Sequence, residues 1–215
     1  MKIENLHTYG WVDAIRGMRN PLNSWDKADS KFEFDPGTGS LTKAEFGPND
    51  KSLMERLVKG GQPHRKFLRQ IMVTMDITAP TYWWAEMDTY KVSTTRDSCS
   101  IQHKGASRDF EISDFSFDIP QLDADRSITG VGIADSKTVI DIVNKYRRLY
   151  VETKDYMYFR LMRQFLPSGY NYKATWSGNL EVLLNIYEWR HNHRLSEWHE
   201  FCDEISKIPG MEIFL

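Results

Sequence analysis

The clearest strand pattern in the chain lies at residues 71–77, where apolar and polar side chains alternate. The apolar positions that share one face are Ile71, Val73, Met75 and Ile77. A period of two is typical of a strand with one buried face. Ala79-Pro80 ends the pattern, and because proline suits the first turn of a helix, the sequence predicts a helix over residues 81–90.

A longer helix is predicted over residues 136–165. Apolar residues recur there at steps of three and four, Asp135 or Ser136 can cap the N-terminus, and Pro167 prevents further extension. At ~1.5 Å per residue, this helix would be about 45 Å long. We therefore expect it to be a central support of the fold or part of a subunit interface.

The remaining elements are shorter. Helices are predicted for residues 50–59, 63–69, 180–190 and 195–208, and an extended segment for residues 169–176. Residues 1–50 and 91–134 are rich in turn-forming and polar residues, and their pattern defines few elements. Because no linker rich in Pro, Gly or Ser divides the chain, we expect a single domain over residues 1–215.

Composition limits the classes of protein to which this chain could belong. Hydrophobic residues make up 40% and charged residues 27% of the 215-residue chain, which is ordinary for a globular protein. The net charge of -2 gives no basis for broad attraction to nucleic acid or to an anionic membrane. No apolar run approaches the roughly 20 residues of a membrane span. The two cysteines have no metal-binding spacing, so we expect a cytoplasmic protein.

The stretch from Thr78 to Ser100 has an unusual mixture of residues. It combines two adjacent tryptophans with several acids and a dense cluster of Ser, Thr and Cys. Such a mixture is typical of a wall that is apolar on one side and forms hydrogen bonds with a ligand on the other. The aromatic side chains could stack on a flat ring, although aromatic residues on a helix more often belong to the core.

In the second half of the chain, Arg163 precedes Leu166-Pro167, an extended crossing follows, and Asn179 opens a helix that ends in Arg190. This order resembles that of the flavin-dependent thymidylate synthases, in which an Arg precedes a Leu-Pro pair and an Asn opens a helix that ends in Arg. Upstream, the strand at residues 71–77 also fits the family pattern, as do Ala79-Pro80 and His64. The resemblance covers residues 50–105 and 135–210.

The resemblance implies an α+β fold with a mixed or antiparallel sheet, flanking helices and one long central helix. It implies reductive methylation of dUMP, or of a related pyrimidine nucleotide, with methylene-tetrahydrofolate, FAD and NADPH. It also implies a homotetramer with sites shared between subunits. The short chain and its altered signature suggest a virus-encoded copy in a host cytoplasm.

The resemblance also carries site residues over to this chain. The substrate-binding positions are Arg163, Arg190, Glu86, Lys91, Cys99, Ser98 and Ser100. The cofactor-binding positions are His64, Tyr90, Lys91, Asp97 and Asn179. The register near Cys99 is ambiguous by one residue, so Ser98 or Ser100 could take the role of the family serine. No catalytic residue follows from this comparison, and no metal site is expected.

The signature of the family is altered at two places. Thr89-Tyr90-Lys91 stands where the family has Arg-His-Arg, and Glu181 stands where the family commonly has an Arg. In the family both features are linked to flavin. The sequence therefore leaves two main functions open, namely an active flavoenzyme and a non-catalytic protein that sequesters or senses a nucleotide on the same scaffold. A structural homo-oligomer with no small ligand ranks third, because it would not account for the paired arginines.

Ordinary structural roles remain open for the same side chains. Arg163 and Arg190 could form surface ion pairs near helix C-termini, and Asn179 could cap a helix, alone or while binding a ligand. Lys91 could be a solvated lysine, and Glu86 could belong to a structural ion pair.

Overall fold

The computed structural model describes residues 1–117 and 129–215. Its strands are β1 (Lys2–Tyr9), β2 (Lys31–Phe34), β3 (Leu41–Glu45), β4 (Met72–Pro80), β5 (Thr95–Ser98) and β6 (Asn171–Asn179). Its helices are α1 (Trp11–Arg19), α2 (Pro48–Lys59), α3 (Thr81–Met87), α4 (Ile101–Lys104), α5 (Thr129–Thr153), α6 (Tyr156–Phe165), α7 (Leu180–Arg190) and α8 (Ser196–Ser206). The part of the polar stretch at 91–134 that comprises residues 118–128 lies outside the described residues.

Strands and helices both contribute to the core, as an α+β fold requires. One sheet has the strand order β1-β4-β6-β5, and an antiparallel pair joins β2 to β3. The alternation predicted for residues 71–77 is confirmed, because its four apolar side chains are fully buried. The extended segment predicted at 169–176 corresponds to β6, and the helices predicted near 50, 81, 180 and 195 are present with slightly different ends.

The single helix predicted over residues 136–165 is wrong in detail. The structure has two helices, α5 and α6, separated by Lys154 and Asp155. Lys154 adopts the left-handed conformation with φ of 60°, and the Asp155 side chain caps α6 by accepting a hydrogen bond from the Met157 N–H. Since α5 begins at Thr129, Asp135 and Ser136 lie inside it and do not cap its N-terminus.

The described chain falls into two compact units. The first comprises residues 1–77, 88–97 and 175–215, and we call it the major unit. Its most deeply buried large side chains include Trp11, Met54, Leu68, Trp198 and Phe201.

The second unit comprises residues 78–87 and 98–174, and we call it the minor unit. Its core is a cluster in which α5 and α6 pack against the segment around residues 110–115. The buried members of this cluster are Phe110, Phe115, Ile140, Val143, Phe159 and Met162. Organisation as a single domain stays a prediction.

Candidate functional site

The minor unit contains a polar pocket of about 320 Å³, which we call the Arg163 pocket. Its lining residues are Thr81, Ser98, Cys99, Ser100, Ile101, Gln102, Arg163 and Tyr172. Arg163 lies in the last turn of α6, and its Nη1 donates a hydrogen bond to Gln102 Oε1 at 3.2 Å. A guanidinium beside hydroxyl groups and a thiol forms a suitable binding site for a phosphate or another anion.

The backbone and the core of the minor unit hold the walls of this pocket. The Cys99 N–H donates to the Lys173 carbonyl at 2.8 Å, and the Thr81 hydroxyl donates to the Tyr170 carbonyl at 3.0 Å. On the inner side, Trp84 is buried, and its ring stacks on Tyr172 at 5.5 Å between centroids. The minor-unit part of the stretch from Thr78 to Ser100 is thus apolar inside and polar at the pocket, as the sequence predicts. Trp83 and Trp84 are core residues, which favours the structural interpretation of these rings.

The major unit contains a larger pocket of about 490 Å³, which we call the Asn179 pocket. Its lining residues are Gln62, Arg69, Thr89, Tyr90, Val92, Ser93, Asn179, Glu181, Val182 and Asn185. Asn179 is buried at the start of α7, and its Oδ1 accepts a hydrogen bond from the Val182 N–H at 3.1 Å. The side chain therefore caps the helix, and it also lies in the pocket wall.

An ion-pair network forms one wall of the Asn179 pocket. The buried carboxylate of Glu181 is paired with both Arg65 and Arg69. The hydrogen bond and the charge of Glu181 raise the pKa of Arg69 above its usual range. Arg65 extends the network to Glu188 at 3.0 Å and to Asn185 at 2.6 Å. Glu181 stands where the family commonly has an Arg. This position therefore carries a negative charge here, and its carboxylate pairs with two guanidinium groups.

Arg190 is engaged by aromatic residues of the major unit. Its Nε donates to the Tyr90 hydroxyl at 2.8 Å, and its guanidinium lies 4.7 Å from the centroid of the Trp198 ring. Cation–π contacts of this kind are worth about 0.5–2 kcal/mol, and they fix the orientation of the guanidinium. Arg190 therefore has a structural role in the major unit, whatever else it contacts.

The other sequence-predicted site residues are more dispersed. Lys91 and Asp97 are exposed in the major unit, and Glu86 is half-buried on α3 of the minor unit. His64 is exposed and lines a separate pocket of about 270 Å³ with Phe67 and Gln70. Among the residues that the structure describes, Glu86 lines neither the Arg163 pocket nor the Asn179 pocket.

The structure thus groups only some of the predicted residues. Ser98, Cys99 and Ser100 surround one pocket with Arg163, and Tyr90 and Asn179 share the other. Arg163 and Arg190 belong to different units, so their convergence on one ligand stays a prediction.

Sequence reasoning missed Arg65 and Arg69. Arg65 precedes a 3₁₀ turn at residues 66–70, Arg69 lies within that turn, and no motif marks either residue. The only signal was the acid at position 181, because a buried carboxylate requires positive partners.

The described residues form neither a metal site nor a membrane-spanning helix. Within that part of the chain, no three His, Cys, Asp or Glu side chains come together in a way that could hold a metal ion. His199 Nε2 lies 2.6 Å from the His193 carbonyl oxygen instead. No helix among residues 1–117 and 129–215 has the length and apolar character needed to cross a bilayer.

The comparisons with known proteins identify a fold. Neither a protein-family model nor a curated protein matches the chain. Solved structures do match, and two of them are of the flavin-dependent thymidylate synthase ThyX from Helicobacter pylori with FAD and dUMP. Their TM-scores are 0.68 and 0.66, and each alignment covers 100% of this chain and 97% of the other at 16% sequence identity.

The fold of this chain is similar to that of ThyX. The similarity extends over the whole chain, and at this sequence identity it establishes the fold alone. Fold by itself does not determine chemistry, which depends on the side chains at the site.

Proposed function

We propose that this chain is a flavin-dependent thymidylate synthase-like protein. It would bind dUMP or a related pyrimidine nucleotide together with FAD, and methylate the nucleotide with methylene-tetrahydrofolate and NADPH. The observation that carries this proposal is the full-length fold similarity to two ThyX structures that hold FAD and dUMP. Assembly as a homotetramer with shared sites is part of the same proposal.

The Arg163 pocket would bind the nucleotide phosphate. Its guanidinium offers charge-assisted hydrogen bonds, and Ser98 and Ser100 can donate hydroxyl hydrogens to the same anion. Lys91, Glu86 and Arg190 are the further substrate residues of the proposal.

The Asn179 pocket would hold the flavin nucleotide. Its donor set fits such a ligand, because amide, hydroxyl and guanidinium groups line it together with the Tyr90 ring. Bound flavin supplies the hydride-transfer chemistry, which no side chain can provide. Asn179, Tyr90 and Arg69 would bind and orient it, with Lys91, Asp97 and His64 as the remaining proposed contacts.

A second candidate function is a non-catalytic nucleotide-binding protein. Two observations favour it, namely the engagement of Arg190 by Tyr90 and Trp198, and the reversal of charge at Glu181. The first commits the Arg190 guanidinium to protein groups, and the second places a carboxylate where the family commonly has a guanidinium. In this case the protein would sequester or sense the nucleotide.

Purified protein distinguishes the two functions. The enzyme should show flavin absorption bands or take up added FAD, and it should form dTMP when given dUMP, methylene-tetrahydrofolate and NADPH. A colourless protein that takes up no FAD but binds dUMP would support the non-catalytic function. A protein that binds neither ligand would contradict both.

Substitution of Arg163 tests the proposed phosphate site. Loss of a charge-assisted hydrogen bond costs about 1.5–3 kcal/mol, so Arg163→Ala should weaken dUMP binding roughly tenfold to a hundredfold. Isothermal titration calorimetry measures this change. Arg160→Ala, which removes an exposed arginine of the same helix, should leave the affinity unchanged. Equal dUMP affinity for Arg163→Ala and the wild type would show that the pocket assignment is wrong.

A further inference from the structure

The two arginines that flank Glu181 differ in their surroundings. The side chain of Glu181 is 7% exposed and that of Arg65 is 9% exposed, whereas the side chain of Arg69 is 49% exposed. All three belong to the major unit, and Arg69 and Glu181 line the Asn179 pocket. The arrangement therefore has one buried guanidinium and one that reaches the open pocket.

Arg65 has its donors committed to protein groups. Its Nε donates to Glu181 at 3.3 Å, its Nη1 to Glu188 at 3.0 Å and its Nη2 to Asn185 at 2.6 Å. Burial and a hydrogen bond from each of its three nitrogens make Arg65 a structural residue, because burial of a guanidinium is costly unless it is paired and hydrogen-bonded.

Arg69 is held by one edge only of its guanidinium. Its Nε and Nη2 both point at the Glu181 carboxylate, and Nη1 takes no part in that contact. This is the side-on arrangement in which a carboxylate fixes the plane of a guanidinium. The Nη1 atom of Arg69 then points in a fixed direction from a half-exposed side chain.

The balance of charge favours an anion at this wall. Two guanidinium groups share the single buried carboxylate of Glu181, while the charge of Glu188 is weakened by water because its side chain is 47% exposed. Asn179, Glu181 and Val182 at the start of α7 line the same pocket, and this helix N-terminus adds the positive end of the helix dipole.

We propose that Arg69 is the anion-binding residue of the Asn179 pocket and that Glu181 is its positioning residue. Arg69 contacts a phosphate of the bound nucleotide through the guanidinium edge that Glu181 leaves open. The identity of that nucleotide as FAD rests on the proposed function, whereas the preference for a phosphate does not.

Pyrophosphate is the simplest probe of this site. Protein that keeps Arg69 should bind it, and Arg69→Ala should raise the Kd about tenfold or more, because a charge-assisted contact is lost. All titrations are made in an Arg163→Ala background, so that the Arg163 pocket does not contribute. Arg56→Ala, an exposed arginine on α2, is the matched control and should not change the Kd. Absence of pyrophosphate binding, or equal affinity with and without Arg69, would overturn the proposal.

The Glu181→Gln variant shows whether Glu181 positions Arg69 or acts on the anion only through its charge. If Glu181 only repelled anions, removal of its charge would tighten pyrophosphate binding. If it fixes the plane of Arg69, binding should weaken although the pocket has become more positive. Arg69→Lys keeps both the charge and Glu181, and because an ammonium lacks the planar fork, it should also bind more weakly than wild type. Circular dichroism verifies that each variant is folded at the titration temperature, and wild-type affinity in Arg69→Lys would contradict the role of the guanidinium edge.

Titration with three flavins tests whether Arg69 binds a phosphate of the flavin nucleotide. Arg69→Ala should lose affinity for FAD and FMN but keep its affinity for riboflavin, which has no phosphate. Equal losses for all three flavins would show that Arg69 does not act on phosphate. If the wild type binds no flavin, the proposed function fails, and the pyrophosphate titrations still decide the role of Arg69.

Discussion

The carboxylate of Asp50 shows how much structure can depend on one buried side chain. It pairs with Arg19, which donates from Nε at 2.8 Å, and it accepts backbone hydrogen bonds from Asp29 and Ser30 at 2.9 and 2.8 Å. Both Asp50 and Arg19 are almost completely buried. The carboxylate thus ties α1 and α2 to the segment before β2, all within the major unit.

Removal of this carboxylate should be strongly destabilising. Asp50→Ala leaves Arg19 buried without its partner charge, which typically costs about 3–5 kcal/mol. Urea denaturation measures the loss in the free energy of unfolding. Asp26→Ala removes an exposed acid nearby and should cost little. Similar losses in both variants would show that the buried pair does not carry this stability.

The same residue predicts a pH dependence. Burial opposes ionisation of Asp50, but hydrogen bonds from Ser30, Arg19 and Asp29 outweigh it and lower its pKa. Because the folded-state pKa lies below the unfolded value of about 3.9, Asp50 contributes its full stability above that pH and loses it as the pH falls through the folded-state pKa. Asp50→Asn should therefore show a shallower loss of unfolding free energy in acid than the wild type. Equal slopes for the two proteins would contradict this prediction.

At the scale of elements, the break between α5 and α6 is a feature that the sequence pattern did not predict. The apolar period continues on both sides of Lys154 and Asp155 because both helices face the same core cluster, to which α5 contributes Val143 and α6 contributes Met162. No Gly or Pro marks the turn. The strand at residues 71–77 was predictable because its own side chains encode the buried face. The break depends on how two helices pack, which local periodicity does not record.

The cap at Asp155 can be tested directly. Its side chain satisfies the Met157 N–H at 2.9 Å, and loss of such a cap costs about 1 kcal/mol. Asp155→Ala should lower the free energy of unfolding by about that amount, as measured by chemical denaturation, whereas Asp155→Asn should retain most of it. If Asp155→Ala is neutral, the helix break is maintained by tertiary packing alone.

At the scale of the whole molecule, the fold was more predictable than the site. The expected fold followed from the resemblance, which rests on the order of a few motif residues and of the elements between them, and the similarity to ThyX at 16% identity agrees with it. The pairing of Glu181 with Arg65 and Arg69 joins positions more than a hundred residues apart, and no local rule connects them. The motif order marks Arg163 and Asn179, and each lines a pocket, while their roles in ligand binding stay predictions.

The proposed assembly gives a further test at this scale. The resemblance implies a homotetramer, so light scattering coupled to size-exclusion chromatography should give four times the mass of the chain. The mass should be independent of protein concentration over the micromolar range. A monomer would contradict sites shared between subunits and would favour the non-catalytic function.

The positions of the two cysteines provide a built-in chemical reporter. Cys99 is exposed in the Arg163 pocket, whereas burial raises the pKa of the Cys202 thiol to about 12. Since thiolates are the reactive form, a maleimide should label a single thiol per folded chain at neutral pH. A nucleotide in the Arg163 pocket should slow that labelling, and denaturation should expose the second thiol. Occupancy of the pocket can thus be followed by mass spectrometry without any substitution in the chain.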